Sequence, residues 1–214
     1  VARDLVLMEK GTSVFCTYCP YAAMGFKSLI ETNHKNAIGI AYHPTSPWGS
    51  FEDVYGNSAS ETRLLYYNIT GFPTVICDGK YRIDGVTGTT NQYSVYLAWY
   101  EDRITKASFH TIDLSVVPLD SNNFTATITA EETFNAFSPV KLYAVLTESN
   151  IPVTWYGQTD VDYVCRGMYP DGNGTTINFA TQNPQTFTFN FSTSGYVKNN
   201  CQFVVFIQDP ATQL

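Results

Sequence analysis

The rhythm of apolar and polar positions changes once along the chain, near Ala107. Before that point, short apolar runs alternate with helix-like segments, the pattern of a sheet built from βα units and covered by helices. Residues 4–8 predict a short strand. Residues 20–31 predict a helix with a proline in its first turn, and the almost wholly apolar Ala37–Tyr42 predicts a strand buried on both faces. A loop rich in Pro, Gly and Ser spans residues 43–57, and a helix is expected over residues 58–67. Thr74–Cys77 and residues 81–83 flank Asp78-Gly79, two positions that tolerate positive φ and so predict a tight hairpin. A last helix over residues 91–106 puts Tyr93, Leu97, Tyr100 and Ile104 on one face.

After residue 107 the rhythm is that of strands. Residues 124–128, 142–146, 187–191 and 203–207 alternate with period two, which predicts one buried and one wet face for each. Turn signals such as Ser121-Asn122-Asn123 and Asp171-Gly172-Asn173-Gly174 separate them. The fold class expected is therefore an α/β domain over residues 1–107 followed by an all-β, immunoglobulin-like sandwich over residues 108–214. The length of 214 residues suits two domains of about 100 residues each. With 44% hydrophobic and 14% charged residues, including 15 Tyr and 14 Phe, the composition is that of a folded, β-leaning protein. A net charge of −7 without any basic run excludes a nucleic-acid partner, which would need clustered Lys and Arg. No apolar stretch approaches the ~20 residues of a membrane-spanning helix. The sequence opens without a charged segment followed by an apolar one, so any signal peptide or lipid anchor is expected to lie outside these residues.

Candidate chemistry concentrates at Cys16-Thr17-Tyr18-Cys19, between a predicted strand and a predicted helix. At a helix amino terminus, unpaired amides and the helix dipole stabilise a thiolate, which makes Cys16 the expected nucleophile and Cys19 the resolving thiol. A zinc site would need about four ligands, and no second Cys or His pair follows at a suitable spacing, so neither metal nor other cofactor is expected. An inert disulfide is the plainer alternative. A second motif, Gly71-Phe72-Pro73-Thr74, stands immediately before a predicted strand, where a proline after an aromatic residue suits a cis peptide.

With both motifs present the chain resembles the thioredoxin-like superfamily. That resemblance implies that Pro73 is the cis-proline facing the cysteine pair and that Tyr18, Phe72, Pro73 and Thr74 contact a bound polypeptide. The pattern departs from it in two places: Thr17-Tyr18 replaces Gly-Pro between the cysteines, and Lys10 stands six residues before Cys16, where a buried aspartate is usual. Glu9 is the replacement proton-transfer candidate if a bulge shifts the register. On a regular strand it faces the other way and is a salt-bridging carboxylate. Lys10 would favour thiolate if it were near the sulfurs, and is otherwise a solvated surface lysine. Over most of its length, from Val6-Leu7-Met8-Glu9-Lys10-Gly11-Thr12 to the closing Phe203-Val204-Val205-Phe206-Ile207-Gln208-Asp209, the chain also resembles the bacterial Omp-twenty-eight outer-membrane lipoproteins. That likeness implies an exported thioredoxin-like domain joined to a β-sandwich, with redox or adhesin-like roles.

His43, at the carboxyl end of a predicted strand, should share the sheet edge of Cys16 and is a second candidate for proton transfer, or else it bonds only within its own turn. Phe15, Tyr18, Trp48 and Phe72 would give that edge an apolar rim. Cys77, in an apolar strand, reads as a buried thiol. Cys165 and Cys201, in separate strand-like segments, are a candidate structural disulfide. The function expected is an extracytoplasmic thiol-disulfide oxidoreductase acting on protein thiols or disulfides. Its alternative is a surface binding or adhesion module with a structural or vestigial cysteine pair. On the redox reading every reacting group precedes residue 107, and the sandwich contributes none.

Overall fold

The computed structural model of the chain describes residues 1–33, 36–45, 53–134 and 139–214, side chains 32 and 33 excepted. The first half holds β1 (Val6–Gly11), α1 (Cys19–Lys27), β2 (Ala37–Tyr42), α2 (Ser58–Tyr66), β3 (Thr74–Cys77), β4 (Tyr81–Asp84) and α3 (Tyr93–Ile104). The second half holds β5 (His110–Pro118), β6 (Asn123–Glu132), β7 (Val140–Glu148), β8 (Ile151–Trp155) and β9 (Gln158–Val161). It continues with β10 (Val164–Tyr169), β11 (Thr175–Ile177), β12 (Gln185–Ser192) and β13 (Cys201–Gln208).

β1 runs parallel to β2 and antiparallel to β3, and β3 turns into β4 through Asp78 and Gly79, both at positive φ as the turn requires. A Cβ on Gly79 would overlap the carbonyl of Gln213, because the carboxy-terminal segment crosses this turn. The helix expected over residues 20–31 is α1 followed by a π-helical turn, Ser28–Asn33. Alternation along β1 decides which helix each residue meets. Val6 and Met8 pack with Phe26 and Leu29 of the α1 segment and with Tyr96 and Tyr100 of α3. Leu7 packs with Leu64 of α2 and with Tyr67. α3 thus seats Tyr96 and Tyr100 rather than the face centred on Tyr93 and Leu97. It carries apolar side chains on most sides, so spacing alone could not select the buried one.

The change of rhythm at residue 107 is not a break in the sheet. β2 continues into β10, with Val164 opposite Ala41 and the Ala41 amide donating to the Tyr163 carbonyl at 2.7 Å. One sheet therefore runs β11-β7-β10-β2-β1-β3-β4, with β13 on the other edge of β7. β7 is buried along nearly all its length instead of presenting a wet face. Tyr143 and Val145 lie under α2 with Val204 and Phe206, while Leu142 and Ala144 meet Ile128 and Ala130 of a second, antiparallel sheet ordered β12-β6-β5. β8 and β9 form a separate hairpin.

The α2 face also buries a charged network. Arg63 of α2 is fully buried and donates to Glu9 Oε1 at 2.7 Å and to Gln208 of β13, while the hydroxyls of Tyr42 and Tyr67 donate to the same Glu9 carboxylate. The guanidinium lies against the rings of Tyr66, Tyr67, Tyr143 and Phe206. A buried ion pair persists only when its remaining bonding capacity is satisfied. Here β1, α2 and β13 each supply part of the shell, and Arg63 Nε is left without a hydrogen-bond partner among the described residues.

Candidate active site

Between β1 and α1 the chain folds back on itself. The Phe15 amide donates to Ser13 Oγ at 3.2 Å, and the Cys16 amide donates to the Ser13 carbonyl at 3.1 Å. Pro20 sits in the first turn of α1, where its missing N–H costs nothing. Cys16 and Cys19 are joined by a disulfide, their Cα atoms 5.3 Å apart. The two sulfurs have unlike surroundings. Cys16 is half-buried and accepts a bond from the Cys19 amide at 3.1 Å, whereas Cys19 is fully buried against Trp155, Val161 and Val164. Tyr55 and Phe72 close the same cluster.

The Phe72-Pro73 bond is cis, and Phe72 and Pro73 share a cleft with Tyr18, across which lies the β4–α3 turn of Gly85, Val86 and Gly88. Within the proline loop, the Pro73 carbonyl accepts from the Gly85 amide at 2.7 Å. Thr74 is buried, and its hydroxyl donates to Asp84 Oδ1 and lies within hydrogen-bond distance of the Gly71 carbonyl. Thr74 thus braces the loop. The surfaces left to face a guest in this cleft belong to Tyr18, Phe72 and Pro73.

His43 follows β2 on this edge, buried, with its Nδ1 3.0 Å from Asp53 Oδ2 and its ring edge-on to Tyr55. Asp53 ties this histidine to the cysteine loop, for its carboxylate also accepts from the Val14 amide at 3.0 Å and from the Tyr55 amide at 3.1 Å. Burial alone would push the Asp53 carboxyl up. The hydrogen bond and charge of His43, helped by the two amides, reverse this and hold it below the usual carboxylate range. Asp53 lies in an irregular loop with no periodic or motif signal, and the sequence reading missed it. Trp48 lies outside the described residues.

Three expectations are corrected. β1 pairs without a bulge from Val6 to Gly11, so Glu9 stays on the α2 face, held by Arg63, and cannot serve the sulfurs on the α1 side. Lys10 is not a solvated surface lysine: it is 4% exposed and its ammonium sits 4.8 Å from the centre of the Phe26 ring. Cys165 and Cys201 are free thiols. They pair with Thr147 and Glu148 on opposite edges of β7, and two strand spacings of about 4.8 Å exceed the reach of a disulfide. The second half lines the site without supplying a reacting group: Trp155, Val161 and Val164 form one buried cluster with Cys19, and the Tyr156 hydroxyl donates to the Phe15 carbonyl at 3.3 Å. Cys77 is a buried free thiol.

No family model and no curated protein matches the chain. Among solved structures it resembles HBP35 of Porphyromonas gingivalis, with a TM-score of 0.77 at 16% identity over 97% of this chain and 70% of that one. A protein of Agrobacterium tumefaciens solved by a structural genomics consortium is similar with a TM-score of 0.56 at 12% identity, over 89% of this chain and 79% of that one. The likeness is one of fold, a thioredoxin-like unit joined to a β domain.

Proposed function

We propose that this protein is an extracytoplasmic thiol-disulfide oxidoreductase acting on polypeptide thiols or disulfides through Cys16 and Cys19. The observation that carries this reading is the asymmetric pair: a half-buried cysteine and a fully buried one at the start of α1, beside a cleft lined by Tyr18, Phe72 and cis Pro73. In the reduced protein, Cys16 thiolate attacks one sulfur of a substrate disulfide. A Cys16–substrate bond forms, the substrate bond breaks, and one substrate thiolate departs. Cys19 thiolate then attacks Cys16 sulfur, the second substrate thiolate leaves, and two electrons have passed to the substrate. Run backwards, the same steps oxidise a dithiol. His43, held by Asp53, is the group we assign to proton transfer. Residues 1–107 carry the reacting atoms, and residues 108–214, which we take as an immunoglobulin-like sandwich, buttress Cys19 through Trp155. An exported location is our reading, supported by the resemblance of the sequence to the Omp-twenty-eight lipoproteins. None of the helices among the described residues is long and apolar enough to cross a membrane.

The test is a glutathione redox titration of the intact chain, together with exchange assayed on a small disulfide. A catalytic pair should equilibrate between roughly −270 and −120 mV, and Cys16→Ser should abolish exchange. A potential below about −300 mV with no exchange by the wild type would make the pair structural and end this reading.

A further inference from the structure

A second cavity, of about 380 Å³, opens on the flank of α1 and is separate in its lining from the cleft at Pro73. Lys10 and Thr12, two residues apart and so on the same side of the chain, line it together with His43. Ala23 and Met24 of α1 and Trp155 and Val161 of the β8–β9 hairpin give it apolar walls. Neither Lys10 nor Thr12 has a side-chain hydrogen-bond partner among the described residues. Lys10 makes no hydrogen bond or ion pair among the described residues, only its contact with the Phe26 ring. Thr12, 2% exposed, has a hydroxyl with no hydrogen-bond partner among the described residues. A buried ammonium and a buried hydroxyl left unbonded each cost free energy that an acceptor in the cavity would recover.

The other charges of the lining are already committed. Asp160 and Asp162 hold Lys27, and Glu31 accepts from the Tyr163 hydroxyl at 2.9 Å. Lys10 is therefore the buried cation of the lining that no carboxylate touches among the described residues, Asp162 acting on it only through its charge, in a cavity that also bears three carboxylates. Those carboxylates disfavour a multiply charged anion such as phosphate, and the apolar walls favour a ligand with a hydrocarbon body.

We propose that this cavity binds a small organic monocarboxylate, with Lys10 Nζ and the Thr12 hydroxyl receiving the carboxylate and Met24 and Trp155 enclosing its apolar body. The proposal does not rest on the redox reading, since it uses neither cysteine, although His43 and Trp155 border both sites. A carboxylate beside Lys10 supplies the hydrogen-bond acceptor that the ammonium lacks among the described residues, and the ammonium–carboxylate bond outweighs a neutral one by roughly twofold in strength.

The experiment is calorimetric titration of the intact protein with 3-phenylpropionate as probe, with 3-phenylpropan-1-ol and inorganic phosphate as comparisons. Saturable 1:1 binding of 3-phenylpropionate is expected, at least about tenfold tighter than the alcohol, with no binding of phosphate. Lys10→Met, which keeps the stem and removes the ammonium, should weaken 3-phenylpropionate at least about tenfold and leave the alcohol unchanged. Thr12→Val provides a second variant, expected to weaken the carboxylate by several-fold should Lys10→Met fold poorly. Binding should persist when Cys16 and Cys19 are both replaced by Ser, which separates its fate from that of the redox reading. Absence of saturable binding, equal affinity for the alcohol, binding of phosphate alone, or indifference to both variants would each overturn the proposal.

Discussion

Cys16 precedes α1 and is half-buried, whereas Cys19 is the first residue of α1 and fully buried, and on the proposed redox reading this difference sets the order in which they react. Cys77 and Cys165 are buried and Cys201 half-buried; burial pushes the Cys165 thiol up to about 12 and the Cys201 thiol up to about 11. After reduction, iodoacetamide at pH 7 should modify Cys16 well before the other four thiols, read by peptide mass spectrometry. Equal labelling of Cys16 and Cys19 would remove the nucleophile assignment. Lys10 offers a second measurement. Burial, only partly offset by Asp162 and reinforced by Lys27, lowers its amine from 10.5 to about 8, with Asp160, Glu31 and His43 the other titratable groups around the cavity. Between those two values the unfolded chain binds more protons than the folded one, so this group makes stability rise with pH across that window and contributes a constant cost below it. Urea midpoints of wild type and Lys10→Met should therefore converge from pH 7 towards pH 10, the variant being at least as stable at pH 7; parallel profiles would contradict the burial of a charged amine. The CxxC spacing and the proline motif were legible because each is a local run of residues with a local consequence. Lys10 and Asp53 were not, because their roles are created by neighbours 16 or more and 10 or more positions away, Phe26 and His43 respectively.

Among the elements, α2 and α1 show how single residues fix the packing of whole segments. Arg63→Met would leave the Glu9 carboxylate buried without its cation, a loss of about 3–5 kcal/mol in urea unfolding. Adding Glu9→Gln to that variant should return part of the loss, because the Tyr42 and Tyr67 hydroxyls can bond an amide oxygen as well. No recovery would mean that Arg63 acts mainly through its stacked rings. α1 meets α3 at Gly25, where an added Cβ would lie 2.7 Å from the Tyr93 amide nitrogen and 2.8 Å from the Gln92 carbonyl carbon. Both neighbours are backbone, so Gly25→Ala must push the helices apart, and a cost of about 1–3 kcal/mol is expected. An unchanged unfolding midpoint would show that α3 can shift freely. Period and turn signals located β2, the hairpin and the helices of the first half to within a few residues. They missed β5, β8, β9 and β11, which are short, rich in polar residues or exposed, so their strand character comes from pairing rather than from their own pattern.

The molecule as a whole is organised around the junction of β2 and β10, which no feature of the sequence announces. A change of hydrophobic rhythm marks where helices cease to be added, yet the hydrogen-bonded ladder crosses that point, and α2 packs across both halves of the resulting sheet. The chemistry proposed for Cys16 and Cys19 is carried by residues 1–107, but the environment that buries Cys19 is completed by Trp155, Val161 and Val164. A fragment ending at residue 107 would uncover the edge of β2, strip Tyr143, Val145, Val204 and Phe206 from α2, and remove Gln208 from the buried Arg63 shell. Those losses fall on one face of the only sheet the fragment retains, and burial of a few large side chains at about 1.5–3 kcal/mol each already matches the net stability of a small domain. The fragment is therefore expected to lack a cooperative urea transition and near-ultraviolet circular dichroism, and to exchange disulfides no faster than an unstructured peptide dithiol. A sigmoidal transition with exchange at the rate of the intact chain would show instead that residues 1–107 fold alone and that the β10 strand is an attachment rather than part of the core.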